Sequence, residues 1–408
     1  MRVSLNRPGF CVFLIVLALA CKPAPPEPSG DRTEPAASHV LAGLDVRLES
    51  RTLQERRELR VYLPDSYGRS TFRYPVLYLL DAESEFLHNV GIVEFLAAID
   101  RIPELIVVGI VNTNRSRDLT PESANEEETA FWDEVGGADL FRAFLRDELI
   151  PFVDREYRTQ PYRIVRGQSF GGLFAIHDYM SDSPIFDAVL ASSPAIGWNF
   201  ETLIKEAPAF FANGVPRPIY VAAAEKDFAD NLEDILEFVR IVDAAVPDTT
   251  LWRHEYFEGD GHYSLAHQSS YRGLEFLYAK WPVPDAIATQ ADFSQYERHF
   301  QELADRFGYE IRIPLHSIVR LGNGLLREQR FEEGIAVFER GIQVYPEQPE
   351  AHWHMGDALR LAGRIDEARP HFESAYQVAV ETSAPDVDDY RKTLESLKPD
   401  TETPVHKE

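Results

Sequence analysis

Cysteine is nearly absent from this chain of 408 residues, which contains only Cys11 and Cys21. Cys11 lies in a segment that we expect to be cleaved off, and if Cys21 carries a lipid, no thiol is left for a disulfide. The folded part must therefore be stabilised by its hydrophobic core, which a composition of 44% hydrophobic residues can supply. A metal site with cysteine ligands is excluded for the same reason, and we expect no metal and no other cofactor.

Basic residues are also in short supply. The chain has 41 Lys and Arg against 67 Asp and Glu, so its net charge is -26 at pH 7. A surface of this charge repels the phosphates of DNA and RNA, and we expect no nucleic acid partner. The simplest consequence of the acidity is solubility.

The amino-terminal apolar stretch from Phe10 to Ala20 is too short to cross a bilayer, which needs about 20 apolar residues. Two arginines precede it, as in a secretory signal peptide. It ends in Leu17-Ala18-Leu19-Ala20-Cys21, which resembles the lipobox of bacterial lipoproteins, in which the cysteine is lipidated. The alternative is an ordinary signal peptide that happens to contain a cysteine. We expect a cell-envelope protein, anchored by lipid on the periplasmic or extracellular face through the proline-rich residues 22–30.

A Gly-Gln-Ser-Phe-Gly-Gly segment lies between an apolar stretch typical of a buried strand and one with the apolar spacing of a helix. The pattern G-x-S-x-G in this context is the nucleophile elbow. The turn is so tight that Gly167 and Gly171 must lack side chains. The elbow would expose Ser169 as a nucleophile at the top of a sheet, whereas the alternative is a glycine-rich turn without chemistry.

Apolar runs of strand length alternate with helical patterns as far as residue 281. The runs are at 75–80, 105–111, 162–166, 186–192, 218–224 and 252–257, after two alternating strands at 46–50 and 59–63. This alternation predicts an α/β fold with a mostly parallel sheet that is covered on both faces. Residues 112–137 are polar and acidic without a regular period, and we expect them to form a lid or substrate cover.

A serine hydroxyl needs a base that takes its proton during attack. In α/β-hydrolases the chain order is serine, acid, histidine, and His262 follows the last predicted strand in a glycine-rich loop. Three acids follow the strand that precedes this last strand in the chain, and of these we choose Asp227 over Glu225 and Asp230 as the triad acid. Each acid could instead serve as a helix cap or first-turn carboxylate, and the triad could lack an acid.

The oxyanion hole should consist of backbone N–H groups, one from Phe170 and one from Ala82 or Glu83 after the third strand. Trp198 follows the strand that ends at Ser192, and it could line the acyl pocket or simply pack in the core.

Beyond residue 286, helical patterns dominate and a repeat of about 34 residues appears. The paired positions are Gly322 and Gly356, Leu325 and Leu359, Glu333 and Glu367, Phe338 and Phe372, and Gly341 and Ala375. The pattern resembles the tetratricopeptide repeat, in which small residues let two helices approach and phenylalanines fill the space between repeats; the alternative is an ordinary helical hairpin. Two repeats rarely fold alone, so we expect them to pack on neighbouring helices or on the α/β domain, and to bind a peptide or protein partner.

Several motifs together resemble the bacterial putative-esterase family of α/β-hydrolases, which includes siderophore trilactone esterases, S-formylglutathione hydrolases and feruloyl esterases. They are residues 74–81, 117–121, 167–172 and 273–277, within a likeness that runs from Val46 to Trp281. The resemblance implies hydrolysis of carboxylic esters, with Ser169 as nucleophile and His262 as base. Two departures are Gln168, where the family commonly has histidine, and residues 222–225, which lack a frequent glycine. Siderophore esterases of the family work with a serine–histidine dyad, so the resemblance does not require an acid.

We therefore divide the chain into a lipoprotein signal peptide (1–20), a tether (21–43), an α/β-hydrolase domain (44–283) and a helical repeat domain (284–400). The predicted function is a serine esterase that acts on a small-molecule ester, such as a siderophore. The alternatives are an acyltransferase that uses the same residues and an inactive anchored scaffold that binds proteins through its repeats.

Overall fold

The computed structural model describes residues 43–132, 134–246, 251–290, 292–382, 384 and 386–397. The predicted signal peptide and Cys21 lie outside the described residues. Of the helices in the described ranges, none has both the length and the apolar character that a membrane span requires.

The strands of the described residues form one sheet. They are β1 Leu44–Ser50, β2 Glu55–Tyr62, β3 Tyr74–Leu79, β4 Ile106–Ile110, β5 Thr159–Gln168, β6 Ala188–Ser192, β7 Ile219–Lys226 and β8 Trp252–Gly261. Their order across the sheet is β1-β2-β4-β3-β5-β6-β7-β8. β2 pairs antiparallel with β1 and β4, and the other neighbours are parallel. The predicted mostly parallel sheet is confirmed.

Helices connect and cover the strands. They are α1 Ala82–Ala98, α2 Arg115–Leu119, α3 Glu126–Phe131, α4 Ala138–Phe144, α5 Ile150–Glu156, α6 Phe170–Tyr179, α7 Trp198–Phe210, α8 Ala229–Ala245, α9 Ala266–Leu277, α10 Asp285–Gln290, α11 Phe293–Phe307, α12 Leu315–Arg327, α13 Phe331–Val344, α14 Pro349–Leu361, α15 Ile365–Glu381 and α16 Val387–Ser396. A π-helical turn joins α4 to α5, and short 3-10 turns lie at Asp65–Arg69 and Phe211–Asn213.

The segment predicted as an irregular lid, residues 112–137, contains two short helices, α2 and α3. Each helix starts at an asparagine cap: Asn114 Oδ1 accepts from Arg117 N at 3.1 Å, and Asn125 Oδ1 accepts from Glu127 N at 3.1 Å. These helices have too few turns for apolar periodicity, so capping is their main sequence signal. α7 is irregular near its start, where Asn199, Phe200 and Glu201 have left-handed backbone conformations.

Side chains that alternate along the strands point into two cores, one on each face of the sheet. On β3, Tyr78 joins the core beneath α4 to α8, whereas Leu77 and Leu79 join the core beneath α1 and α9. Burying a side chain of this size contributes about 1.5–3 kcal/mol, so both faces stabilise the sheet.

The carboxy-terminal helices share the second of these cores. Tyr296, Phe300 and Phe307 of α11 are buried in it, together with Ile318 and Leu321 of α12. The Phe307 ring lies 5.0 Å from that of Tyr162 on β5. The repeats therefore do not stand alone, as their small number predicts.

Within the repeats, equivalent glycines approach equivalent phenylalanines. A Cβ atom on Gly322 would overlap the ring of Phe338, and one on Gly356 would lie 3.0 Å from the ring of Phe372. α12 packs on α13 and α14 on α15 through these positions, which is the arrangement that the repeat pattern predicts.

Candidate active site

Ser169 occupies a sharp turn between β5, which ends at Gln168, and α6, which begins at Phe170. Its backbone has φ 56° and ψ −118°, a conformation that is strained for a residue with a side chain. A Cβ on Gly167 would overlap the backbone of Gly171, so the two glycines permit the turn. Strain of this kind is found where the surrounding fold must hold one side chain in place.

His262 and Asp227 meet at the same edge of the sheet because each follows a parallel neighbour. Asp227 follows β7 and His262 follows β8. Asp227 Oδ1 lies 2.7 Å from His262 Nδ1, the Asp227 side chain is fully buried and that of His262 is 7% exposed. A proton on Nδ1 that is donated to the carboxylate leaves Nε2 as the acceptor for a hydroxyl proton.

The carboxylate of Asp227 is stabilised in its charged form. Burial raises the pKa of Asp227, but the hydrogen bonds from His262 and from the backbone N–H of Phe228 help to outweigh burial, and the pKa lies below its ordinary value. The other two acids considered from sequence lie elsewhere: Glu225 accepts from Gly259 N at 2.7 Å, and Asp230 is exposed in the first turn of α8. Of the three, Asp227 is the one that the fold brings to His262.

Gln168 links the elbow to the histidine loop. Its buried side-chain amide donates a hydrogen bond to the backbone carbonyl of His262. The residue directly before Ser169 therefore fixes the position of the loop that carries the imidazole. In the sequence, Gln168 stands out only as a departure from the family pattern, and no local signal indicates this contact.

Phe170 and Ala82, the residues predicted to form the oxyanion hole, are the first residues of α6 and α1. The N–H groups in the first turn of a helix have no acceptor within it, and the helix dipole favours negative charge there. A Cβ on Gly171 would lie 3.3 Å from Asp81 Oδ2, so the turn before α1 lies close against the elbow. The two amides follow the neighbouring parallel strands β5 and β3 at the same edge of the sheet, and their joint role as an oxyanion hole stays a prediction.

Arg115 holds these two turns together and was not identified from the sequence. Its Nε donates to Asp81 Oδ1 at 2.7 Å and its Nη2 to Asp81 Oδ2 at 2.9 Å. Nη2 also donates to the carbonyl of Gln168 at 3.1 Å. Burial lowers the pKa of Arg115, but the bonds with Asp81 more than compensate, so it stays charged. The motif at 117–121 lay two residues away, yet nothing in it indicates this contact.

A buried ion pair connects the elements that carry the site. The Arg166 guanidinium on β5 contacts the Glu85 carboxylate on α1 and donates to the carbonyl of Ala266, where α9 begins, at 3.2 Å. Arg166 is fully buried. The pair joins three elements that carry the elbow, the Ala82 turn and the His262 loop.

Aromatic side chains flank the site on both sides. The Phe170 ring lies 4.9 Å from Trp132 and 5.4 Å from Trp198, and the His262 ring lies 4.8 Å from Phe228 and 4.9 Å from Tyr263. Trp198 is mostly buried, and its Nε1 donates to the carbonyl of Pro121 at 2.9 Å. Trp198 thus packs against Phe170 and also fastens the acidic segment 112–137 to the site.

Across the described ranges, no group of three or more His, Cys, Asp or Glu is arranged to hold a metal ion.

Two protein-family models match the chain: "Putative esterase" over residues 50–272 and "Tetratricopeptide repeat" over residues 319–386. The ferri-bacillibactin esterase BesA of Bacillus subtilis is 29% identical over 284 residues, which cover 61% of this chain and 95% of that protein. The siderophore triacetylfusarinine C esterase of Aspergillus fumigatus is 30% identical over 200 residues, 41% of this chain and 65% of that protein. A crystal structure described as an IroE-like serine hydrolase from Shewanella oneidensis superimposes with a TM-score of 0.64 at 27% identity, covering 74% of this chain and 99% of the other.

Proposed function

The chain belongs to the putative esterase family, whose model matches more than half of it, and is a carboxylic ester hydrolase; we propose that it works as a serine esterase through an acyl-enzyme. One observation carries the mechanism: the hydrogen-bonded pair of Asp227 and His262 lies at the sheet edge where β5 ends at the strained, half-buried Ser169. A nucleophile, a base and a group that orients the base are the parts that this chemistry needs.

In the first half of the reaction, Ser169 Oγ attacks the ester carbonyl while its proton passes to His262 Nε2. Asp227 stabilises the imidazolium that forms. The N–H groups of Phe170 and Ala82 bind the negative oxygen of the tetrahedral intermediate, and each such donor is typically worth about 10²–10³ in rate. When the intermediate collapses, the bond to the alcohol oxygen breaks and His262 gives the proton to the leaving alcohol.

In the second half, water attacks the acyl group on Ser169 and passes a proton to His262. The proton then returns to Ser169 Oγ as the carboxylic acid leaves, which restores the enzyme. No other reactant is consumed. An alcohol in place of the water would make the same residues an acyltransferase.

The proposed substrates are siderophores or other small acyl esters. Support comes from similarity to proteins named as siderophore esterases and from the aromatic side chains beside Ser169 and His262. A peptide or protein partner at the repeats stays a prediction.

The deciding experiment combines a fluorophosphonate probe with a panel of acyl esters and ferric siderophores. Wild type should be labelled and should hydrolyse at least one ester, Ser169→Ala should do neither, and Ser374→Ala on the surface of α15 should behave as wild type. Folded wild type that takes no label and cleaves no ester would overturn the proposal in favour of an inactive scaffold. An acyl product on an added alcohol, without free acid, would identify an acyltransferase.

The proposal extends to a lipid anchor at Cys21 and to a location in the cell envelope, supported by the lipobox-like residues 17–21. Metabolic labelling with a fatty acid should mark wild type and Cys11→Ser, but not Cys21→Ser. Wild type that takes no fatty-acid label and is cleaved at a different position would mean an ordinary signal peptide, and label that persists in Cys21→Ser would mean that the lipid is attached elsewhere.

A further inference from the structure

Negative charge is concentrated around the candidate active site. The segment from Leu119 to Gly137 has no lysine or arginine, and its acids are Glu122, Glu126, Glu127, Glu128, Asp133 and Glu134. Trp132 in this segment contacts Phe170, beside the nucleophile. The segment is therefore part of the wall of the site, and its charge acts on whatever approaches Ser169.

Hydrogen bonds hold this segment at two points beside the site, through Glu128 and Glu134. Glu134 Oε2 accepts from Asn114 Nδ2 at 2.8 Å, next to Arg115. The Glu128 carboxylate accepts from Asn199 N at 3.0 Å, next to Trp198. These bonds hold the segment, and with it its exposed acids, beside the site.

Acids also border the other sides of the site. Glu83 is exposed directly after Ala82, and its Oε1 accepts from Asn112 N at 2.9 Å. Asp260 lies two residues before His262, where its Oδ1 accepts from Ser264 Oγ at 2.7 Å. These two carboxylates therefore add negative charge next to the Ala82 amide and the His262 loop.

The cations in the same segments do not offset this charge. Arg115 is held by Asp81 through two hydrogen bonds, and Arg117 is paired with Glu55 and Asp118. The ammonium group of Lys226 remains, and it donates to the carbonyl of Gly259 at 3.3 Å. An anionic substrate would therefore meet a negative potential with little to neutralise it.

We propose that the active site selects esters by charge: it accepts neutral or cationic esters and rejects anionic ones. This inference rests on the proposed esterase function. The exposed rings of Phe228, Tyr263 and Trp132 give a neutral ester apolar contact area and give a cation the faces of aromatic rings. Among siderophores, a ferric hydroxamate complex is neutral and a ferric catecholate complex is anionic, so the hydroxamate class fits this site.

The test uses the full chain and three esters with the same leaving group. They are the para-nitrophenyl esters of butyric acid, of glutaric acid as its monoanion, and of trimethylammonium-butyric acid. At low salt, kcat/KM for the anionic ester should fall at least about tenfold below that of the neutral ester. Added salt should raise kcat/KM for the anion, lower it for the cation and leave the neutral ester unchanged, because ions screen exposed charges.

A charge-neutralising variant identifies the residues responsible. Glu126 and Glu127 are exposed on α3 and lie outside the catalytic machinery. Glu126→Gln/Glu127→Gln should raise kcat/KM for the anionic ester about threefold at low salt and leave the neutral ester unchanged. The matched control Glu339→Gln/Glu373→Gln removes the same charge from exposed positions on α13 and α15. It should leave kcat/KM unchanged for all three esters.

The outcomes distinguish a failure of charge selection from a failure of the proposed esterase function. If the neutral and anionic esters react equally well and neither responds to salt, charge selection is wrong while the serine esterase stands. If none of the three is cleaved, labelling rates with neutral, anionic and cationic fluorophosphonates provide the same comparison. If no probe labels the folded protein, the proposed function itself fails.

Discussion

Asp227 Oδ1 and His262 Nδ1 lie 2.7 Å apart although 35 positions separate the two residues in the chain. The contact follows from topology, because β7 and β8 are parallel neighbours and their carboxyl ends reach the same edge of the sheet. α8 lies between the two strands in sequence, and its apolar face packs into the core on one face of the sheet. A short contact between distant residues is thus set by strand order.

The first prediction concerns this contact. Asp227→Asn should lower kcat by about 10²–10⁴ with little change in KM, because the amide no longer holds the imidazole in the productive tautomer or stabilises its charged form. Steady-state kinetics on a neutral ester measures the effect. The control Asp230→Asn alters an exposed acid three residues away and should retain wild-type kcat. If Asp227→Asn kept the wild-type kcat, a serine–histidine dyad would suffice.

The second prediction concerns Arg115, which bridges Asp81 and the carbonyl of Gln168. Arg115→Ala should lower kcat and the rate of fluorophosphonate labelling by about tenfold or more, since the two turns that carry the oxyanion amides lose their link. Arg115→Lys should recover only part of the loss, because an ammonium group cannot reproduce the two parallel bonds to Asp81. A rise in KM at unchanged kcat would instead mean that Arg115 only binds substrate.

The sequence indicates the fold and the candidate triad because both have local signals. Ser169 lies in a glycine pattern between a strand and a helix, and His262 follows the last apolar run. The contacts of Arg115 with Asp81, and of Gln168 with His262, depend on how separate turns meet across the sheet. No local pattern encodes such a meeting, so these residues could be found only in the folded chain.

The third prediction is a pH dependence of stability. Burial, together with the charges of Glu201, Asp230 and Glu233, raises the pKa of Asp234 on α8 to about 6. The folded state therefore binds more protons than the unfolded state between about pH 4 and pH 6, so stability falls as pH rises through this window and stays lower above it. Asp234→Asn removes the effect and should raise Tm at pH 8 by about 2 °C or more.

The same variant should show no such gain in Tm at about pH 2.5, well below the pKa of Asp234 in either state, where the carboxyl is protonated whether folded or unfolded. Thermal unfolding at the two pH values measures the difference. Glu206→Gln, which changes an exposed acid on α7, should shift Tm equally at both. A gain for Asp234→Asn that is the same at pH 8 and at acidic pH would show that the charge of Asp234 is not its cause.

The fourth prediction compares glycines within the repeats. A Cβ on Gly322 would overlap the Phe338 ring, one on Gly356 would touch the Phe372 ring at 3.0 Å, and one on Gly324 would meet nothing within 4 Å. Gly322→Ala should therefore destabilise the protein by about 1–3 kcal/mol through overpacking, and Gly356→Ala by less. Gly324→Ala, on the same helix as Gly322, should stabilise it by about 0.5–1 kcal/mol because alanine loses less backbone entropy than glycine.

Urea unfolding of the three alanine variants tests this ranking. Because α12 is buried against the core that it shares with β3 and α11, loss of packing at Gly322 should also lower the midpoint at which esterase activity disappears. If Gly322→Ala were as stable as Gly324→Ala, the Phe338 ring must be able to move aside. The close approach of α12 and α13 would then result from the rest of their interface, and the glycine at the repeated position would not be required for it.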